Sequence, residues 1–142
     1  MDELDKLITI ALDECRRSGW AKAKLVLAEA IARIMSTRFR SVKKIYLVDL
    51  SGGEYSTSLE GGFDIDLYVE VDEAEEDEVR AFGDIIDDIL RKLVHAKLND
   101  KDCSWLTRRS HNILELHVNS EFVRPLVENR GRPKYAVRLF EA

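Results

Sequence analysis

From Phe63 to Val71 apolar and polar residues alternate without interruption, the period-two pattern of a strand with one buried face. Phe63, Ile65, Leu67, Val69 and Val71 fall on one side, and Asp64, Asp66, Tyr68 and Glu70 on the other. Upstream, the apolar run Ile45 to Leu50 predicts a second strand, closed by Ser51-Gly52-Gly53. His111 to Val118 alternates again: Leu114, Leu116 and Val118 share one face, while Ile113, Glu115 and His117 share the other. Tyr135 to Phe140 is apolar enough for a final strand.

Helical spacing governs most of the remaining chain. Asp2 to Ser18 carries Leu4, Leu7, Ile8, Ala11, Leu12 and Cys15 on one stripe, with acids at its start, Arg16 and Arg17 at its end, and Gly19 to close it. Ala21 to Met35 predicts a second helix, apolar on most sides. The longest runs from Asp72 to about Leu98, with Val79, Phe82, Ile86, Ile89, Leu90 and Leu93 as its buried stripe. Its N-terminus holds an acidic cluster, which the helix dipole favours. Ser120 to Asn129 has helical character around Phe122, Leu126 and Val127, with Pro125 setting a break or a late start and Gly131 an end.

Composition narrows the class. A length of 142 residues predicts one domain, a helical segment over 1–38 followed by a sheet-containing core over 44–142. Hydrophobic residues at 45% and charged residues at 35% fit a globular protein in water. Of the net charge of −5, the run from Glu70 to Glu78 carries more than its share, and the rest of the chain is slightly basic. Two cysteines, Cys15 in a helical pattern and Cys103 in a polar stretch, leave neither a disulfide framework nor a four-ligand zinc site to be expected. No signal-peptide pattern and no apolar run of spanning length is visible, so the expectation is a cytoplasmic protein with no membrane partner. Between Ala30 and Val48, Arg33, Arg38, Arg40, Lys43 and Lys44 are unopposed by any acid. Such a block attracts phosphates, although a solvated helix end is equally basic.

The alternating strand brings in chemistry. Asp64 and Asp66 stand about 7 Å apart on one face, from the rise of two residues. Neighbouring carboxylates repel unless a cation or a proton lies between them. A divalent metal is the obvious cation. Gly52 and Gly53 let backbone N–H groups approach an anion closely, so strand, glycine turn and carboxylate pair suggest a metal-bound phosphate. Oxygen ligands of this kind favour Mg²⁺ or Mn²⁺. A Ser-Gly-Gly turn and a polar strand face also occur with no function at all.

These residues resemble the nucleotidyltransferase superfamily typified by DNA polymerase beta, whose motif is a glycine pair or Gly-Ser followed at a short interval by Asp-x-Asp. Gly52 and Gly53 match the pair, and Asp64 and Asp66 match the metal ligands. Ser56-Thr57-Ser58-Leu59-Glu60-Gly61 is similar to the Gly-Thr-x-Leu-x-Gly run of archaeal-type CCA-adding enzymes. The chain length is more similar to minimal nucleotidyltransferases of antitoxin type. Those carry Gly-Ser-Arg where this chain has Gly52-Gly53-Glu54, and Ser51 takes the hydrophobic position before the glycines.

The resemblance implies an α/β (α+β) nucleotidyltransferase fold, a small mixed sheet flanked by helices, here with two N-terminal helices. It implies transfer of a nucleoside monophosphate from an NTP, ATP first, to a hydroxyl with Mg²⁺ or Mn²⁺. Asp64 and Asp66 would hold the ions and Glu115 would be the third carboxylate, one methylene longer than the usual aspartate. Gly52, Gly53 and Thr57 would contact the triphosphate. The implied acceptor is a helical protein partner of the HEPN type, with RNA or a small molecule as alternatives, and a non-catalytic nucleotide- or partner-binding module as the rival class. His117, on the face of Glu115, is expected to make a local hydrogen bond.

Overall fold

Ile65, Leu67 and Val69 are wholly buried, as strict alternation requires of a strand with a core face. They belong to a computed structural model that describes residues 6, 9, 10, 13, 20–48, 65–97, 113–128 and 136–142. Its elements are α1 (Trp20–Arg38), β1 (Lys44–Val48), β2 (Ile65–Glu70), a 3₁₀ turn (Glu73–Glu75), α2 (Glu76–Lys97), β3 (Leu114–Val118), α3 (Arg124–Glu128) and β4 (Ala136–Glu141). Of the first predicted helix, Lys6, Thr9, Ile10 and Asp13 are described and are helical; the rest of it lies outside the described residues.

The strands form one mixed sheet in the order β3-β2-β1-β4. β1 is antiparallel to both of its neighbours, whereas β2 and β3 are parallel. A parallel pair needs a long crossover, which contains α2. The chain is therefore an α+β protein with helices on a mixed sheet. No helix among the described residues is long and apolar enough to cross a membrane.

One face of the sheet carries the core. Leu27, Ile31 and Met35 of α1 and Val79, Phe82, Ile86 and Leu90 of α2 pack on Ile45, Leu47, Ile65, Leu67, Val69 and Val118. Each such side chain contributes about 1.5–3 kcal/mol through removal from water. The two helices meet where the Phe39 and Phe82 rings lie edge to face, centroids 5.5 Å apart. The Arg38 guanidinium sits 4.6 Å above the Phe82 ring. On the opposite face Val48, Tyr68 and Val123 form a smaller cluster that Val127 of α3 joins. Tyr68 is thus wholly buried although it lies in the polar row of β2.

The element ends differ from the pattern-based expectation for local reasons. α1 continues three residues past Met35, where the Phe39 N–H still bonds the Met35 carbonyl at 2.9 Å and the Ser36 and Thr37 hydroxyls donate back to the Arg33 carbonyl at 3.1 and 2.9 Å. Asp72 to Glu75 stay outside α2. The Glu75 carboxylate turns instead to Ser41, accepting its hydroxyl and, at 3.2 Å, its backbone N–H. α3 starts at Arg124, later than Ser120, so that Pro125 falls in the first turn, where a missing N–H costs nothing. The basic block is not one patch: Arg38 stacks on Phe82, while Lys43 lies 3.4 Å from Asp72.

Candidate metal centre

The parallel register of β2 and β3 sets Ile65, Leu67 and Val69 opposite Leu114, Leu116 and Val118 on the core side. The same register sets Asp66 opposite Glu115 and Tyr68 opposite His117. Two polar rows from distant parts of the sequence therefore share one face. His117 leans back along it, and its Nε2 lies 2.9 Å from Asp66 Oδ1, which accepts from the ring in the tautomer that carries its proton on Nε2. Asp66 and His117 are 13% and 22% exposed, and Glu115 is exposed. Ligand atoms of Asp66, Glu115 and His117 all lie within 4.8 Å of one another.

Both ends of β3 are fixed by side chains. Before the strand, the buried Asp87 of α2 accepts backbone N–H bonds from Ile113 and Leu114 at 2.8 and 2.9 Å. Its other oxygen is 3.1 Å from Arg91 Nε, close enough for an ion pair but not aligned as a hydrogen bond. After the strand, Asn119 adopts a left-handed conformation with φ of 51°, which asparagine tolerates better than most residues. Its side chain accepts from Val71 N–H at 2.9 Å and donates to the Val71 carbonyl and to Glu76 Oε1, each at 2.7 Å. Glu115 and His117 are thus carried on a strand held at both ends.

Beside the cluster, Tyr68 hydroxyl donates to Glu70 Oε2 at 3.1 Å and accepts from Arg124 Nε at 3.2 Å. Burial pushes the phenol above its ordinary pKa; the Arg124 contact opposes this and Glu70 adds to it. Arg124 is in turn held above its ordinary value, chiefly by the Tyr68 hydrogen bond. Tyr68 consequently stays neutral at physiological pH and divides the acidic end of the sheet face from α3. A cleft of about 340 Å³ runs along the edge of β3, where Glu115 and His117 meet Arg80, Gly83 and Asp84 of α2.

Asp66 and Glu115, two of the residues picked out by their strand patterns, are brought together. Asp64, Gly52, Gly53 and Thr57 lie outside the described residues, as do Trp105, Arg108 and Arg109. Val48 pairs with Asp66 across β1 and β2.

His117 does not make the local hydrogen bond expected of it: its partner is Asp66, 51 positions away in sequence and a proposed metal ligand, which makes His117 part of the cluster. Its place two residues from Glu115 is visible in the sequence; the strand register that delivers it to Asp66 is not. Asp87 had no sequence signal beyond its position on a long helix. The donor set suits a divalent ion: carboxylate oxygens are what Mg²⁺ and Mn²⁺ take, and imidazole is accepted by the latter. Comparison with known protein families, with curated proteins and with solved structures finds no significant match to this chain.

Proposed function

We propose that this chain is a metal-dependent nucleotidyltransferase that moves a nucleoside monophosphate from an NTP, ATP first, to a hydroxyl on a partner protein. The observation that carries this reading is the meeting of Asp66 with Glu115 across parallel strands. In this reading Asp64, next in the alternating row, joins Asp66 and Glu115 in holding Mg²⁺ or Mn²⁺. A bound divalent ion supplies charge neutralisation at the phosphates and makes an acceptor hydroxyl easier to deprotonate. Backbone N–H groups of Gly52 and Gly53 and the Thr57 hydroxyl grip the triphosphate. β2 and β3 supply the rigid base on which those groups are oriented, and the setting is the cytoplasm, where NTPs are abundant.

A second reading is favoured by one specific departure. Gly53 and Glu54 stand where the similar minimal enzymes have serine and arginine, so a phosphate-binding hydroxyl is missing and an acid replaces a base. That supports a nucleotide- or partner-binding module without transfer.

The test is titration of ATP and the other NTPs with and without Mg²⁺ or Mn²⁺, beside Asp64→Asn and Asp66→Asn, with α-phosphate-labelled NTP to follow transfer. Metal-dependent binding lost in both variants, with circular dichroism unchanged, supports the site; transfer of label to a helical partner supports the enzyme. Binding without transfer to any partner favours the module. Label moving to RNA, with retention that falls steeply with salt, points to a nucleic-acid acceptor. Full activity in both variants overturns the assignment.

A further inference from the structure

We infer that His117 is itself a ligand of the divalent ion, and that its imidazole makes the centre prefer Mn²⁺ to Mg²⁺. The inference rests on the metal-centre reading above and adds the identity of the ion. Asp66 Oδ1 and His117 Nε2 are 2.9 Å apart. Adjacent donors on an octahedral ion with bonds near 2.1 Å are separated by about 3 Å, so an ion can replace the shared proton with little movement of either side chain. Glu115 closes the third side, with all three ligand atoms within 4.8 Å of one another.

The scaffold is suited to this. His117 is carried on a strand whose start is held by Asp87 and whose end is held by Asn119. It leans across the pair toward Asp66 although its register partner is Tyr68. Both donors are mostly sheltered from water, which favours replacement of hydration by fixed ligands.

Selectivity follows from the donor atoms. Mg²⁺ prefers oxygen and gives up its waters reluctantly, so a neutral nitrogen adds little to its binding. Mn²⁺ accepts imidazole, and later first-row ions accept it more strongly still. A site of two carboxylates alone lacks that discrimination. With His117 in the ligand set, Mn²⁺ gains a bond that Mg²⁺ uses poorly.

Metal titration of the whole chain, with no nucleotide, tests this by calorimetry for Mg²⁺ and Mn²⁺ and by pulsed electron paramagnetic resonance of bound Mn²⁺. His117→Gln puts an amide N–H near the place of Nε2 and so keeps a donor for Asp66 while removing the imidazole; His117→Asn, whose shorter amide matches Nδ1 and falls short of Asp66, is the second variant. The expected result is Mn²⁺ binding at least about tenfold tighter than Mg²⁺, with a nitrogen coupling in the wild-type spectrum. Both variants should lose that coupling and about tenfold in Mn²⁺ affinity, with little change for Mg²⁺. Mn²⁺ binding that depends on Asp66 but shows no nitrogen coupling and ignores both His117 variants overturns the inference and leaves the metal centre standing. Absence of binding by either ion, or binding indifferent to Asp66→Asn, overturns the centre itself and the role of His117 with it.

Discussion

Asp87 Oδ1 accepts the backbone N–H of Leu114 at 2.9 Å, so a carboxylate from the middle of α2 holds the residue immediately before Glu115. The same oxygen takes the N–H of Ile113. Asp87→Ala leaves two backbone donors without their acceptor, and hydrogen bonds to charged groups contribute about 1.5–3 kcal/mol each. Urea denaturation should show a loss of about 3 kcal/mol or more for Asp87→Ala, and a smaller loss for Asp87→Asn, whose amide oxygen can still accept. A midpoint unchanged by Asp87→Ala would remove Asp87 as the anchor of β3.

Gly83 of α2 faces the side chain of Leu116 on β3. A Cβ built there would lie 2.4 Å from Leu116 Cδ1 and 2.8 Å from its Cγ. Alanine normally improves a helix by about 1 kcal/mol over glycine, but here overpacking costs about 1–3 kcal/mol. Gly83→Ala should therefore be neutral to destabilising, and Leu116→Ala in the same chain should cancel the clash. The double-mutant cycle reads the coupling directly; additivity of the two changes would show that Leu116 moves aside freely.

Alkaline pH tests the buried phenol. Because the folded-state pKa of Tyr68 is raised, the unfolded chain releases this proton first. The contribution of the group to stability is complete below about pH 10, the ordinary tyrosine value, and is lost as pH rises through the folded-state value. Tyr46, raised by burial and by the Glu141 carboxylate, acts in the same direction. Tyr68→Phe should lessen the fall of stability above pH 10, followed by denaturation at stepped pH. An unchanged slope would place the titration elsewhere.

A metal that binds only the folded chain raises its melting temperature. At an ion concentration one hundred times the dissociation constant, the gain is about 2.7 kcal/mol. Thermal unfolding with Mn²⁺ should rise accordingly, return to the apo value with a chelator, and fail to rise in Asp66→Asn. An equal rise in that variant would mean that the ion binds somewhere else.

The fold was legible where one local rule decided it. Phe63 to Val71 announces its buried face, and Ile65, Leu67 and Val69 occupy it, because two helices cover that side. Tyr68 escaped the rule: its ring is buried by Val48 and Val123 while its hydroxyl reaches Glu70 and Arg124, a division of labour within one side chain that alternation cannot express. The start of α2 was misplaced because Glu75 is drawn to Ser41 across the fold, a contact remote in sequence. For the site, Asp66 and Glu115 were readable as polar positions on strands. Their meeting, and the approach of His117, depend on the parallel register of β2 with β3, two segments so far apart that no window of the sequence contains both. Asp87 is hidden for the same reason, since its burial belongs to the β3 backbone that it receives.

The order of strands in the sheet is not the order in which they are made. β1 is the first described strand in the chain, yet it lies inside the sheet and takes β4 as one neighbour. On a ribosome adding roughly 5–20 residues each second, the interval between Val48 and its partner Ala136 lasts on the order of ten seconds. Throughout it β1 offers an open edge bearing Ile45, Leu47 and Val48. Until β4 emerges, the backbone N–H and C=O groups of β1 on that side have no partner strand.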